Sequence, residues 1–240
     1  MSLLYLVRHA QASFMAEDYD VLSDLGRAQA GRLGERWARL GLRFDAVYAG
    51  PRRRQRHTAE IVGETMGAAG LPWPQARVLE ELDEYQAEPM LKRFVPELAE
   101  RDREVKRLFD AFVEAGDDRA EHARRFERLF QAVMRRWAEG AFRAPDVESW
   151  DAFEGRVQRG LEILTAPQGR SRRVAAFTSG GAIGTAVGTV LGTDAETKLE
   201  LGWALHNCGV CEIRFSSGRR SLSRYNDLAH LPEPDDWTYR

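Results

Sequence analysis

Apolar and polar positions follow two rhythms along this chain. Residues 3–7, LLYLV, form an uninterrupted apolar run, the pattern of a strand buried on both faces as in a parallel sheet. Similar short runs predict strands at Ala46–Ala49 and Val174–Thr178. A later pair, Gly209–Phe215 and Ser221–Tyr225, is joined by SSGRR, a short glycine-containing connection that predicts a hairpin. Between the strands the period changes to that of a helix. Leu25, Ala28, Leu33, Trp37 and Leu40 recur at helical spacing behind Ser23, a candidate N-cap. Pro51 occupies the first-turn position of a helix running toward Met66, Ser149 can cap the helix of residues 150–164, and Gly180–Gly181 open a helix that Gly192 closes. Strand and helix in alternation, with a strand pair at the end, predict an α/β fold with a doubly wound, mostly parallel central sheet flanked by helices.

Residues 86–145 break the alternation. They carry long charged stretches with apolar residues at i, i+3 or i+4, which predicts a helical insertion, a lid, within one domain spanning 1–240. The tail from Leu231, rich in proline and aspartate, is expected to be loose apart from anchoring by Trp237 or Tyr239.

Composition narrows the partners. The 240 residues carry a net charge of −2, so nothing global points to nucleic acid or membrane, and no run approaches the roughly 20 apolar residues of a membrane span. The N-terminus lacks the pattern of a signal peptide. Cys208 and Cys211, three apart on an apparent strand, point to opposite faces, which disfavours a disulfide or a shared metal site. Buried thiols in a reducing cytoplasm are the expectation.

Four chemistry-bearing pieces fall at strand ends or helix starts: Arg8-His9, Gly50-Pro51-Arg52-Arg53-Arg54, the acidic stretch LEELDE (79–84), and Thr178-Ser179-Gly180-Gly181. Taken singly each has a plain reading as solvated loop, charged helix face or turn. Together, at the carboxyl ends of strands, they describe an anion site. Arginine suits bidentate recognition of phosphate oxygens, and a glycine turn opening a helix offers N–H groups at a positive dipole end. An imidazole there is a nucleophile toward phosphorus, and a neighbouring acid can protonate a leaving oxygen.

These segments resemble the histidine phosphatase superfamily, the phosphoglycerate-mutase-like fold. LYLVRHAQAS is similar to that family's strand and R-H-G loop, AGPRRRQRHTAEIV to S-P-L-x-R-A-x-Q-T-A, LEELDE to L-x-E, and FTSGGAIGTAVGTVLG to S-H-G-G-x-I. The closing strands and NDLAHL complete the likeness, which covers the chain in order except the insertion. The resemblance implies that Arg8 and Arg54 clamp phosphate, that His9 becomes a phosphohistidine, and that Glu81 donates the proton, with Glu84 as rival. It also implies that Gln11, Ser179 and Gly180 bind substrate and that His57 stands at the pocket rim. No metal or cofactor is implied, since arginines supply the positive charge, and the partner is a small phosphorylated molecule.

Three positions depart from the motif: Ala10 for glycine, Met15 for an asparagine, and Ser179 for the second active-site histidine. Loss of a comparable donor costs about 10²–10³ in rate, so an impaired or specialised phosphatase is expected. The alternative is a non-catalytic phosphate binder of the same fold. A mutase is less favoured, because LEELDEYQ lacks the E-R-x-Y-G-G-L-x-G run of glycolytic mutases.

Overall fold

A computed structural model describes residues 1–13, 20–116, 118–166 and 171–239. They form two compact units, Met1–Glu84 with Arg156–Arg240, and Tyr85–Gly155.

The first unit is built on a six-stranded sheet of order β3-β2-β4-β1-β5-β6. Strands β1 (Ser2–Arg8), β2 (Ala46–Ala49), β3 (Arg77–Val78) and β4 (Arg173–Thr178) run parallel, while β5 (Val210–Ser216) and β6 (Arg219–Asp227) form an antiparallel edge against β1. The doubly wound, mostly parallel α/β architecture expected from the alternation is present. The apolar runs are explained by burial, as Leu4, Leu6, Val7 and Val174–Phe177 are fully covered. One face packs on α1 (Asp24–Arg39) and α2 (Arg53–Ala68) through Tyr5, Leu33, Trp37, Phe44, Val62, Met66 and Phe177.

Local signals set most boundaries. Ser23 caps α1 by accepting the Gly26 N–H, and α7 (Gly180–Leu191) ends at Gly192 with φ of +71°, the left-handed conformation glycine tolerates best. Ser149 accepts the Ala152 N–H at 3.2 Å at the start of the helix Trp150–Leu164. Helix α2 corrects one expectation: it begins at Arg53 with Arg52 as N-cap, so Pro51 precedes it instead of lying in its first turn. Strand β3 had no sequence signal, since two exposed residues carry no periodicity.

The tail is not loose. The Trp237 indole N–H donates to the Leu231 carbonyl (2.8 Å), Asn207 N–H donates to the Thr238 carbonyl (2.7 Å), and Gln29 donates to the Asp236 carbonyl (2.8 Å). Asn207 and Gln29 lie far from the tail in sequence, which is why the Pro- and Asp-rich composition was misleading.

The second unit comprises α3 (Ala87–Arg101), α4 (Arg103–Val113), α5 (Arg119–Ala138) and the start of α6 (Trp150–Leu164). It extends beyond the expected 86–145 because Tyr85, Trp150 and Phe153 pack with Trp137, at centroid distances of 5.2–5.7 Å. Asp102 caps α4 and pairs with Arg136 at 2.7 Å. The remaining helix of the first unit, α8 (Ala195–Trp203), was not anticipated, although Asp194 caps it by accepting the Thr197 N–H.

Both cysteines are buried and free, and burial pushes the Cys211 thiol up to about 12. Cys208 sits before β5 with φ of +62° instead of within the strand. No described helix is long and apolar enough to cross a membrane.

His230 is buried, and burial holds its imidazole down at about 4. The folded state therefore binds fewer protons than the unfolded chain below the ordinary value near 6.5. Its contribution to stability is present above pH 6.5 and is lost as pH falls toward 4, amounting to about 3 kcal/mol. Urea unfolding at pH 7 and pH 4 should show this loss shrinking by that order in His230→Gln. An unchanged pH dependence would remove His230 from the account.

Candidate active site

Strand β1 delivers His9 to the carboxyl end of the sheet. Its N–H donates to the Thr178 carbonyl (2.7 Å) at the end of β4, and its carbonyl accepts from the Asn207 side chain (3.2 Å). The ring is almost wholly buried, with Nδ1 2.8 Å from the Ala10 carbonyl and Nε2 3.1 Å from Arg54 Nε. A carbonyl only accepts and a guanidinium only donates. Nδ1 therefore carries the proton and Nε2 the lone pair. Burial above all, then Arg54, Arg8 and Arg52, hold this imidazole well below its usual value, so it is neutral at pH 7.

Arg54, in the first turn of α2, is buried and forms an ion pair with Asp20 at 2.8 Å. The same carboxylate accepts the N–H groups of Arg53 (2.7 Å) and Arg54 (3.3 Å) at the helix N-terminus, where a negative charge is favoured. Asp20 thus holds the guanidinium with Nε toward His9. Sequence reasoning missed Asp20, since nothing local links it to Arg54. Arg8 donates through its two terminal nitrogens to the carbonyls of Leu205 and Tyr239, so the tail orients this arginine.

Beside β1 lies the turn from β4, its paired strand, into α7. Ser179 is the N-cap of α7, is buried, and accepts a hydrogen bond from Gln55 Nε2 at 2.7 Å. Glu84 brings a carboxylate to the same helix start, accepting the Gly181 N–H at 2.9 Å. The Glu84 backbone is tied by Arg52, whose Nη2 donates to its carbonyl (3.0 Å) while Nε pairs with Asp83 (2.6 Å).

Four further expected site residues have the following surroundings. Glu81 leaves its backbone beside α6, where a Cβ on Gly160 would stand 3.0 Å from the Glu81 Cβ. Glu84, its rival, reaches the α7 N-terminus with its carboxylate. His57 turns to α1, with Nε2 3.1 Å from Arg27 Nη1. The next residue, Thr58, supplies the inward contact of this helix face, accepting the Ala10 N–H at 3.1 Å. Gln11 accepts from the Ser23 hydroxyl (2.7 Å) and secures the start of α1. Gly180 has a steric reason: a Cβ there would lie 2.7 Å from the Gly202 carbonyl oxygen of α8.

The family model described as histidine phosphatase superfamily (branch 1) matches residues 4–141 and 110–228. The chain belongs to the histidine phosphatase superfamily. Among solved structures, it is similar to a mycobacterial glucosyl-3-phosphoglycerate phosphatase in complex with inorganic phosphate, at 23% identity and TM-score 0.61 over 96% of this chain and 100% of that one. Bacillus stearothermophilus YhfR aligns at 19% identity and TM-score 0.63, covering 96% and 99%. A phosphoglycerate mutase from Bacillus anthracis aligns at 18% identity and TM-score 0.60, covering 95% and 94%. These likenesses concern the fold. No curated protein matches the sequence.

Within this superfamily frame, the departures separate. Ala10 is fully buried and is absent from the positive-φ residues, so its methyl group costs the loop no backbone strain. Met15 lies outside the described residues. Ser179 stands at the start of α7, where Gln55 and Glu84 also make their contacts.

Proposed function

We propose that the protein is a metal-independent phosphatase that hydrolyses a small phosphate monoester through a phosphohistidine at His9. The observation carrying this reading is the His9 ring itself. It is buried and neutral, its proton is committed to Ala10 at Nδ1, and its Nε2 lone pair faces Arg54. In the first step the Nε2 lone pair forms a bond to phosphorus as the ester P–O bond breaks, and Glu84 gives its proton to the leaving oxygen. In the second, Glu84 takes a proton from water, the oxygen bonds to phosphorus, and the N–P electron pair returns to His9. Arg54, Arg8 and Arg52 supply positive charge to the transferring group, the role a cation fills in other phosphoryl-transfer sites. The solved relative with inorganic phosphate supports an anion site in this fold. The two buried free thiols are in keeping with a reducing, cytoplasmic setting.

The test is a quench of the enzyme during turnover of a labelled aryl phosphate in the presence of a chelator. Acid-labile, alkali-stable label on the wild-type protein, absent from His9→Ala, is expected. Phosphate release at equal rates in both proteins would overturn the reading. Ser179 favours a second reading, a phosphate binder without turnover, which predicts binding of inorganic phosphate and neither label nor release.

A further inference from the structure

Gln55 is fully buried, and its carboxamide has only one workable orientation. Oε1 accepts the Arg52 N–H at 3.1 Å, and Nε2 donates to Ser179 Oγ at 2.7 Å. An amide flipped end for end would set its NH₂ against the Arg52 N–H donor, so the network fixes the assignment. The backbone makes room for it: a Cβ on Gly50 would come within 2.1 Å of Gln55 Oε1. Ser179 does not spend its hydroxyl on its own helix, as α7 has no side-chain cap bond. With one lone pair of Oγ taken by Gln55, the hydroxyl proton remains to be donated. The adjoining residue on its N-terminal side, Thr178, pairs in register with Arg8 and accepts the His9 N–H, and Gln55 directly follows Arg54, whose Nε meets the His9 ring, so the Gln55–Ser179 pair is built on the two segments that hold His9.

We infer that Gln55 and Ser179 act as one neutral donor unit for the transferring phosphoryl group. Ser179 is the residue that touches the phosphoryl oxygens, and Gln55 is a positioning residue that aims and polarises its hydroxyl. The inference rests on the phosphatase reading and deepens it. A larger side chain at position 55 and a smaller one at 179 share one buried space, so the two positions are coupled. A neutral pair also has no ionisation between pH 5 and 9, unlike an imidazole, whose charge changes near 6.5.

Hydrolysis of an aryl phosphate and affinity for inorganic phosphate decide the matter in Ser179→Ala, Gln55→Ala, Gln55→Met, and the doubles Gln55→Ala/Ser179→Ala and Gln55→Ala/Ser179→His. Gln55→Met keeps the volume and removes the donor. Each single change should lower kcat/KM and weaken phosphate binding by about 10–10²-fold, and the alanine double should be no worse than the worse single, as for residues acting as a unit. Gln55→Ala/Ser179→His should recover most of the rate and acquire a loss of activity above pH 6–7 that the wild type lacks. A fully active Gln55→Met, additive losses in the alanine double, or no new pH limb in the histidine double would overturn the inference. His9→Ala reports separately on the phosphatase reading: if it matches wild type in turnover, that reading fails, while phosphate binding by the position 55 and 179 variants still tests the donor unit.

Discussion

Replacement of His9 by glutamine should lower aryl-phosphate hydrolysis by about 10⁴–10⁶-fold, the scale seen when a nucleophile is removed from a site whose other groups remain. The fold should survive, because the backbone of His9, held by Thr178 and Asn207, keeps its partners in the variant. Phosphate binding should persist within about tenfold, since Arg54 stays paired with Asp20 and oriented. The pH profile gives an independent check. Only the neutral imidazole has a lone pair at Nε2, and burial and three arginines hold its ionisation well below 6.5. The rate constant kcat/KM should therefore stay level as pH falls through 6.5 and decline only further into acid. An acid limb centred at 6.5 or above would contradict a buried, arginine-flanked nucleophile.

Glu84→Gln should cost about 10²–10⁴-fold on an alkyl phosphate, the range expected for loss of a general acid. On an aryl phosphate with a good leaving group the loss should be at least tenfold smaller, because a stable phenolate leaves without help. Glu81→Gln should change neither substrate by more than about threefold. The contrast follows from the contacts: the Glu84 carboxylate reaches the Gly181 N–H at the α7 start, whereas the Glu81 Cβ lies beside Gly160 of α6. Equal losses for the two acids, or a larger loss for Glu81→Gln, would reassign the proton donor. Gln at 84 can still accept the Gly181 N–H through its amide oxygen, so a loss of rate without a loss of thermal stability is the expected signature.

Elements with local causes were legible before any coordinates. A run such as Leu3–Val7 reads as a buried strand because covered faces demand apolar residues, and Ser23 and Gly192 mark helix ends because caps act over three or four residues. Arg8-His9 and Arg54 were legible for the same reason: each stands at the carboxyl end of a strand or the first turn after one. Residues 82–84 show the limit. Four acids in five residues give no periodicity to choose among, and the choice was made by Arg52, Thr178 and Gly181, which hold that turn from two other segments.

By itself, then, the sequence determined the alternating α/β order, the strand that carries His9, and the arginines that flank it, because those rest on periodicity and caps within a few neighbours. Only the tertiary structure decided that Glu84 and not Glu81 meets the helix α7 start, that Asp20 aims Arg54, that Gln55 holds Ser179, and that the tail carbonyl of Tyr239 holds Arg8. Each of those is a hydrogen bond whose two partners are more than thirty residues apart in the chain. In this fold the partners lie across packed elements, from segments as far apart as the first strand and the tail.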